Sequence, residues 1–180
     1  MVGESEEVLV QRSRSGDPRA FGEIAERYQG VLYNLALRMT GHAEDARDVV
    51  QTTFTKAYRA LGTYDPKRKF FSWIYRIAFH ECINLLRRGK RTEPLEWEPP
   101  SHERSPEDRM AALEIEQLLQ EALLRLSEEH RQVIVLRHFM DLSYAEIGDV
   151  LKVEEKTVKS RLFDARRRLR TQLKQRGVEQ

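Results

Sequence analysis

The stretch Leu142–Leu169, LSYAEIGDVLKVEEKTVKSRLFDARRRL, decides how this chain is read. Ser143 can cap a helix, and Glu146, three residues on, can return a side-chain oxygen to the cap's own amide. Behind the cap, Ile147, Val150 and Leu151 supply one apolar stripe. A second helix fits from about Glu155, where Val158, Leu162, Ala165 and Leu169 recur at helical spacing and share a buried face. The opposite face then collects Lys156, Lys159, Ser160, Phe163 and Arg167, with Asp164 at its edge. Two short amphipathic helices around a tight turn, the second with a cationic outer face, form a helix-turn-helix suited to the DNA major groove. Cations neutralise phosphates, Lys159, Ser160 or Asp164 can hydrogen-bond base edges, and an exposed Phe163 can pack on a thymine methyl.

From Glu155 to Arg176 there are nine Lys or Arg against two acids. The plainer reading is a solvated helix with a basic end favoured by the helix dipole, but this density exceeds what solubility requires. Lys152 stands where many such turns carry Gly, and left-handed backbone there would cost roughly 1 kcal/mol. Gly148 would let the two helices approach closely.

Working outward, 180 residues with 40% apolar content allow two small helical cores. The net charge of +2 conceals basic patches offset by acidic segments. Cys82 is the only cysteine, which excludes an intramolecular disulfide or a cysteine-based zinc site and agrees with a reducing cytoplasm. The first residues lack the apolar core of a signal peptide, and no run approaches the ~20 apolar residues of a membrane span. A cytoplasmic protein without membrane insertion is expected.

Residues 1–16 offer little beyond Val8, Leu9 and Val10. Asp17 and Pro18 then start a helix as cap and first-turn proline, with Phe21, Ile24, Ala25, Tyr28, Val31, Leu32, Leu35, Ala36 and Met39 on its apolar face until Thr40 and Gly41. The next helix begins near Asp45, with Val49, Val50, Phe54, Ala57, Tyr58 and Leu61 as its core stripe, leaving Asp48 and Gln51 on another face. Residues 62–69 form a loop marked by Asp65 and Pro66, followed by the aromatic cluster Phe70, Phe71, Trp73, Tyr75 and Phe79. Rings at helical spacing are mostly core. Here they are interleaved with ten Lys or Arg between Lys56 and Arg91, against two acids, a combination that binds single-stranded nucleic acid. His80, Glu81 and Cys82 are adjacent and point in different directions, so no metal site is expected.

Residues 93–108 carry four prolines and six acids with only Leu95 and Trp97 as large apolar groups, the composition of an extended linker. From Arg109 a helix resumes through Leu113, Ile115, Leu118, Leu119, Ala122, Leu123 and Leu126, and Ser127 caps another holding Val133, Ile134, Leu136 and Phe139. The expectation is an all-α fold: an N-terminal helical domain over residues 1–92, a flexible acidic linker over 93–108, and a helix-turn-helix domain over 109–180.

Three ordered blocks carry a family resemblance: Asp45 to Phe54 with Ala57 and Tyr58; Tyr64 to Pro66 and then Phe71 to Arg88, containing Trp73, Tyr75, Arg76 and Asn84; and Leu142 to Arg166 with Thr157, Val158, Ser160, Arg161 and Ala165. Over about Asp17 to Leu173 the chain resembles the extracytoplasmic-function (ECF) sigma factors of bacterial RNA polymerase. The resemblance implies a non-catalytic promoter-specificity subunit that uses no cofactor, metal or small-molecule substrate. Its partners would be core polymerase, promoter DNA and, in some settings, an anti-sigma factor. It further implies that Asp48 and Gln51 meet the polymerase clamp. Tyr64, Lys67, Arg68, Lys69, Arg76, His80, Asn84, Arg87 and Arg88 would recognise and melt the minus-ten element. Lys156, Lys159, Ser160, Phe163, Asp164 and Arg167 would read the minus-thirty-five element, and the linker would pass through the channel later used by RNA. Thr52 and Thr53 replace a common acidic and a common apolar residue, His80 a usual Asn, and Asp164 a frequent cation.

A free-standing helix-turn-helix regulator is the alternative, although it would need neither the second basic-aromatic block nor the acidic linker. An enzyme such as a nuclease would need paired carboxylates, a phosphate-binding glycine loop or a ligand cluster, and none is present in the sequence.

Overall fold

The computed structural model describes residues 4–88 and 106–176, with side chains from Glu114 onward in the helix that opens the second segment. The expected linker therefore lies outside the described residues apart from 106–108, which belong to that helix. Eight α-helices occur among the described residues, and no strand.

The first is α1 (Glu6–Arg14), where the sequence alone offered no helix. Nine residues are too few to hold an isolated helix. Burial of Leu9 and Val10 against α2 (Pro18–Thr40) supplies what propensity lacks. The Arg12 guanidinium also donates to Asp17 at 2.6 Å, and the Tyr28 hydroxyl on α2 donates to Glu6. Asp17 caps α2 as expected, accepting from the amides of Arg19 and Ala20 at 2.9 and 3.4 Å. Gly41 ends the helix in left-handed backbone, φ 83°, with its amide bonded to the Leu37 carbonyl.

Helix α3 (Ala43–Ala60) starts two residues before Asp45, which is buried in the first turn. A 3-10 turn (Leu61–Thr63) and a loop lead to α4 (Phe70–Arg88). Helices α2, α3 and α4 bury Leu32, Leu35, Ala57, Ile74, Ala78 and Cys82 between them. Tyr58, assigned to this core by periodicity, is 48% exposed and rests edge-on against Phe21 at 5.0 Å. Burial raises the Cys82 thiol to about 12, so it behaves as a small apolar group.

In the second segment α5 (Pro106–Arg125) starts three residues before the expected Arg109, with proline at its first position. Ile115, expected inside, is 57% exposed. Helix α6 (Glu128–Ile134) begins after Ser127, whose hydroxyl contacts His130 Nδ1 at 2.7 Å and makes no bond to a cap amide. A π-turn (Val135–Phe139) then redirects the chain into α7 (Tyr144–Leu151) and α8 (Glu155–Lys174). Leu123, Val133, Leu136, Ile147, Val150, Val158, Leu162 and Ala165 form their core. The helix-turn-helix is thus α7, a short turn and α8. Lys152 ends α7 at φ 55°, in the left-handed region, and a Cβ on Gly148 would lie 2.8 Å from the Val153 carbonyl oxygen. Both turn expectations hold.

Candidate nucleic-acid interface

Two cationic surfaces emerge, one on α8 and one on α4 with its preceding loop. On α8, burial of Val158, Leu162 and Ala165 against α6 and α7 turns Lys156, Lys159, Ser160, Phe163 and Arg167 outward. Phe163 is 69% exposed, which no packing role accounts for. Lys159 pairs with Glu155 at 2.7 Å and lies 5.7 Å from the Tyr144 ring, so the start of the helix holds its ammonium in place. The Glu155 carboxylate raises the Lys159 pKa. Asp164, half-buried at the edge, accepts from Arg167 at 3.2 Å and orients that guanidinium.

The capping box forms as read: the Ser143 hydroxyl accepts from the Glu146 amide at 3.3 Å, and the Glu146 carboxylate accepts from the Ser143 amide at 2.9 Å. Glu146 also accepts from Lys69, in the loop before α4, at 2.6 Å. Lys69 and then the Ser143 amide hold its carboxyl down to about 2.

On the other surface, residues 76, 80, 84 and 87 fall four, eight and eleven positions along α4 and form one stripe. His80, Asn84, Arg87 and Arg88 are exposed and Arg76 is half-buried. Although His80 lies at the surface, partial withdrawal of its ring from water against the helix, then the cations Lys152 and Arg76, lower its pKa and favour the neutral ring. Lys67, Arg68 and Lys69 are exposed on the adjoining loop, and Lys69 lies 5.3 Å from the Phe71 ring. Tyr64 differs from its neighbours in this group. It is 8% exposed, sits 5.3 Å from Phe70 and 5.6 Å from Trp73, and its hydroxyl donates to the Arg68 carbonyl at 2.5 Å. As placed, Tyr64 pins the loop from beneath and offers no free ring face. Trp73 packs partly into the same cluster.

Asp48 and Gln51 are exposed on α3, in line with Thr55 and Tyr58. Thr53 sits in the core, with its hydroxyl donating to the Val49 carbonyl at 2.7 Å, so a polar residue is accommodated there. Tyr58 was missed as a surface residue because a wide apolar stripe reads the same whether its edge is covered or open. Among the described residues no group of three or more His, Cys, Asp or Glu could hold a metal ion, and no helix is long and apolar enough to cross a membrane.

The α4 surface meets α7 at a cleft of about 600 Å3 lined by Lys67, Arg68, Lys69, Trp73 and Arg76 from one side and by Glu146 and Asp149 of α7 from the other. No local sequence pattern signals this juxtaposition, because its partners lie more than seventy residues apart.

Residues 24–92 match the Sigma-70 region 2 family and residues 116–169 the Sigma-70, region 4 family. The chain is 34% identical to the ECF RNA polymerase sigma factor SigW of Bacillus subtilis, a match covering 92% of this chain and 95% of that protein. It is 36% identical to the RNA polymerase sigma-H factor of Pseudomonas aeruginosa, covering 92% of each. The fold is similar to that of CnrH, solved in complex with the cytosolic domain of CnrY, at a TM-score of 0.76 and 30% identity over 95% of this chain and 98% of that one. A region 2 match holding the α4 stripe, a region 4 match holding the α7–α8 helix-turn-helix and relatives aligned over nearly the full length agree: the chain belongs to the ECF sigma factors, promoter-specificity subunits of RNA polymerase.

Proposed function

We propose that residues 1–92 dock core polymerase and melt the minus-ten element, that residues 109–180 read the minus-thirty-five element, and that the chain carries no catalysis of its own. The observation that carries this assignment is the presence of two separate cationic surfaces, the α4 stripe and the outer face of α8. A one-headed regulator would need only the second. Lys159, Ser160 and Phe163 discriminate bases, Lys156 and Arg167 hold phosphate, and Asp164 acts through Arg167. Arg76, His80 and Asn84, with Lys67, Arg68 and Lys69, receive the opened strand, while Arg87 and Arg88 track its backbone. Tyr64 supports this surface from below. Asp48 and Gln51 contact the polymerase clamp, and Tyr58 extends that face. The chain works in the cytoplasm, where its single buried thiol suits a reducing medium. Because CnrH was solved in complex with the cytosolic domain of CnrY, a protein partner for this fold is to be expected here as well, and an anti-sigma factor is the kind we infer.

Transcription by core polymerase loaded with Asn84→Ala or His80→Ala protein tests the assignment. Altered permanganate reactivity and altered base preference at the minus-ten element are expected, with unchanged thermal unfolding. Wild-type melting by both variants would remove the α4 stripe from the site.

A further inference from the structure

Among the cations of α8, Arg166 has a histidine for its partner. It is exposed and stands seven residues after Lys159, so it lies about 10 Å further along the helix on nearly the same bearing. Lys159, Phe163, Arg166 and Arg170, spaced four, three and four apart, therefore form one ridge along the margin of the outer face. When a helix is laid in the major groove its first turns meet base edges and its later turns pass the phosphate backbone. Arg166 belongs to the later turns, beside Arg167.

Each of these two guanidiniums is tethered by an acceptor. Arg167 donates to Asp164 at 3.2 Å, and the Arg166 Nε–H donates to His138 Nε2, also at 3.2 Å. His138 sits on the π-turn, so this second bond ties the turn to the reading helix. Among the described residues no other hydrogen bond or ion pair engages Arg166. Its two terminal nitrogens are free, and such a pair can grip a phosphate as a fork. A guanidinium already held in place also loses less freedom on binding than one that swings.

The bond fixes the state of the ring. To accept at Nε2, His138 must be neutral with its proton on Nδ1; protonation puts N–H on both nitrogens and sets an imidazolium against a guanidinium. The charges facing the ring are all positive: Arg137 on its own turn, and Arg166, Arg170 and Lys174 of α8 around a shared cleft of about 570 Å3. Helices α5 and α6 contribute Leu119 and Ile134 to that cleft, and the nearby acid Asp141 is taken up by Arg137 at 3.0 Å. Partial withdrawal from water, then Arg166 and Arg137, lower the His138 pKa, so the neutral ring prevails near pH 7.

We propose that His138 is a positioning residue for promoter binding: its neutral ring holds Arg166 ready for a phosphate at the edge of the major groove, and protonation releases that hold. Promoter affinity is thereby made sensitive to acid through one side chain. Asp164 steadies Arg167 in the same way with a permanent charge. The proposal rests on the reading of the α8 outer face as the minus-thirty-five contact.

Holoenzyme assembled from core polymerase and the full chain, titrated with promoter duplex from about pH 8 to about pH 5.5, tests it across the ordinary histidine range. His138→Gln keeps an acceptor that does not titrate, and His138→Leu removes the acceptor. At the alkaline end His138→Gln should match the wild type, while His138→Leu and Arg166→Ala should each bind about three-fold more weakly whatever the upstream sequence, Arg166→Ala with a salt slope smaller by about 1. On acidification the wild type should lose about three-fold relative to His138→Gln, a comparison in which the other titrating groups of polymerase cancel. A wild type that follows His138→Gln at every pH overturns the proposal, as does wild-type affinity in His138→Leu at the alkaline end. Tighter wild-type binding than His138→Gln in acid overturns it too, because the imidazolium would then itself hold the phosphate. Lys159→Ala separates this proposal from the reading beneath it. If that variant discriminates upstream bases as the wild type does, the α8 assignment fails; if it loses discrimination while Arg166→Ala binds normally, only the role of His138 and Arg166 fails.

Discussion

At the scale of single residues, the informative positions are those where the local rule and the observed environment differ. Phe163 is a large ring left 69% exposed on a helix whose other apolar side chains turn inward. Phe163→Ala should leave stability nearly unchanged and relax discrimination at one upstream base position by about 1–3 kcal/mol. Binding measured across a set of single-base variants checks this. A uniform loss at every position would show that the ring makes no base-specific contact. Lys152 is in left-handed backbone without an obvious compensation, and glycine pays no steric penalty there. Lys152→Gly should therefore raise stability by up to about 1 kcal/mol, the size of that penalty. Gly148→Ala should do the reverse, costing about 1–3 kcal/mol, because its Cβ would press on backbone at Val153, which has no rotamer with which to yield. Chemical denaturation of the two variants should give opposite signs.

At the scale of elements, α7 shows how one side chain serves two purposes. Glu146 closes the capping box and pairs with Lys69, and both interactions favour its ionised form. Its folded pKa of about 2 lies below the usual 4.5, so the stabilisation is fully present above about 4.5 and is lost as pH falls towards 2. The difference in melting temperature between wild type and Glu146→Gln should be largest near neutrality and shrink steadily from about pH 4.5 to about pH 3. A difference constant over that range would mean that the carboxylate is not specially stabilised.

How legible each element was follows from where its information resides. Asp17–Pro18, Ser143–Glu146 and the inward stripe of α8 announce themselves, because caps and periodicity are properties of neighbours along the chain. The helix α1 was invisible, since its stability comes from α2. The π-turn was invisible too: it needs the Met140 amide to reach the Val135 carbonyl and Asp141 to adopt φ 49°, and no residue pattern encodes that. Tyr58 and Ile115 were misplaced because periodicity gives the direction of a side chain and says nothing about what lies opposite it.

At the scale of the whole molecule, each candidate surface could be traced along its own stretch of sequence, but the contact of the α4 surface with α7 could not. Arg38, Gln120 and Arg131 carry no motif, and their role appears only when the end of α2 is brought against α5 and the π-turn. Arg131 is the most consequential of the three, because its guanidinium satisfies carbonyls at the ends of two helices from different domains. Removal of its side chain by Arg131→Ala leaves those carbonyls buried and unpaired, at about 1–3 kcal/mol for each that water cannot reach. Arg131→Lys keeps the charge but presents three donors from a single point, so it should recover only part of the loss.

The form of the unfolding transition separates two accounts of that loss. If Arg131 only capped α5, Arg131→Ala would lower the stability of the second domain and leave the first untouched. With Met39 among its partners, the side chain also couples the domains. Wild-type protein should then unfold in one calorimetric transition, with equal calorimetric and van't Hoff enthalpies, and Arg131→Ala should split it into two. Two resolved transitions already in the wild type would show that the domains fold independently. A single transition shifted downward in Arg131→Ala would show that the remaining contacts, Arg38–Glu116 and Lys69–Glu146 among them, are sufficient to hold the molecule as one cooperative unit.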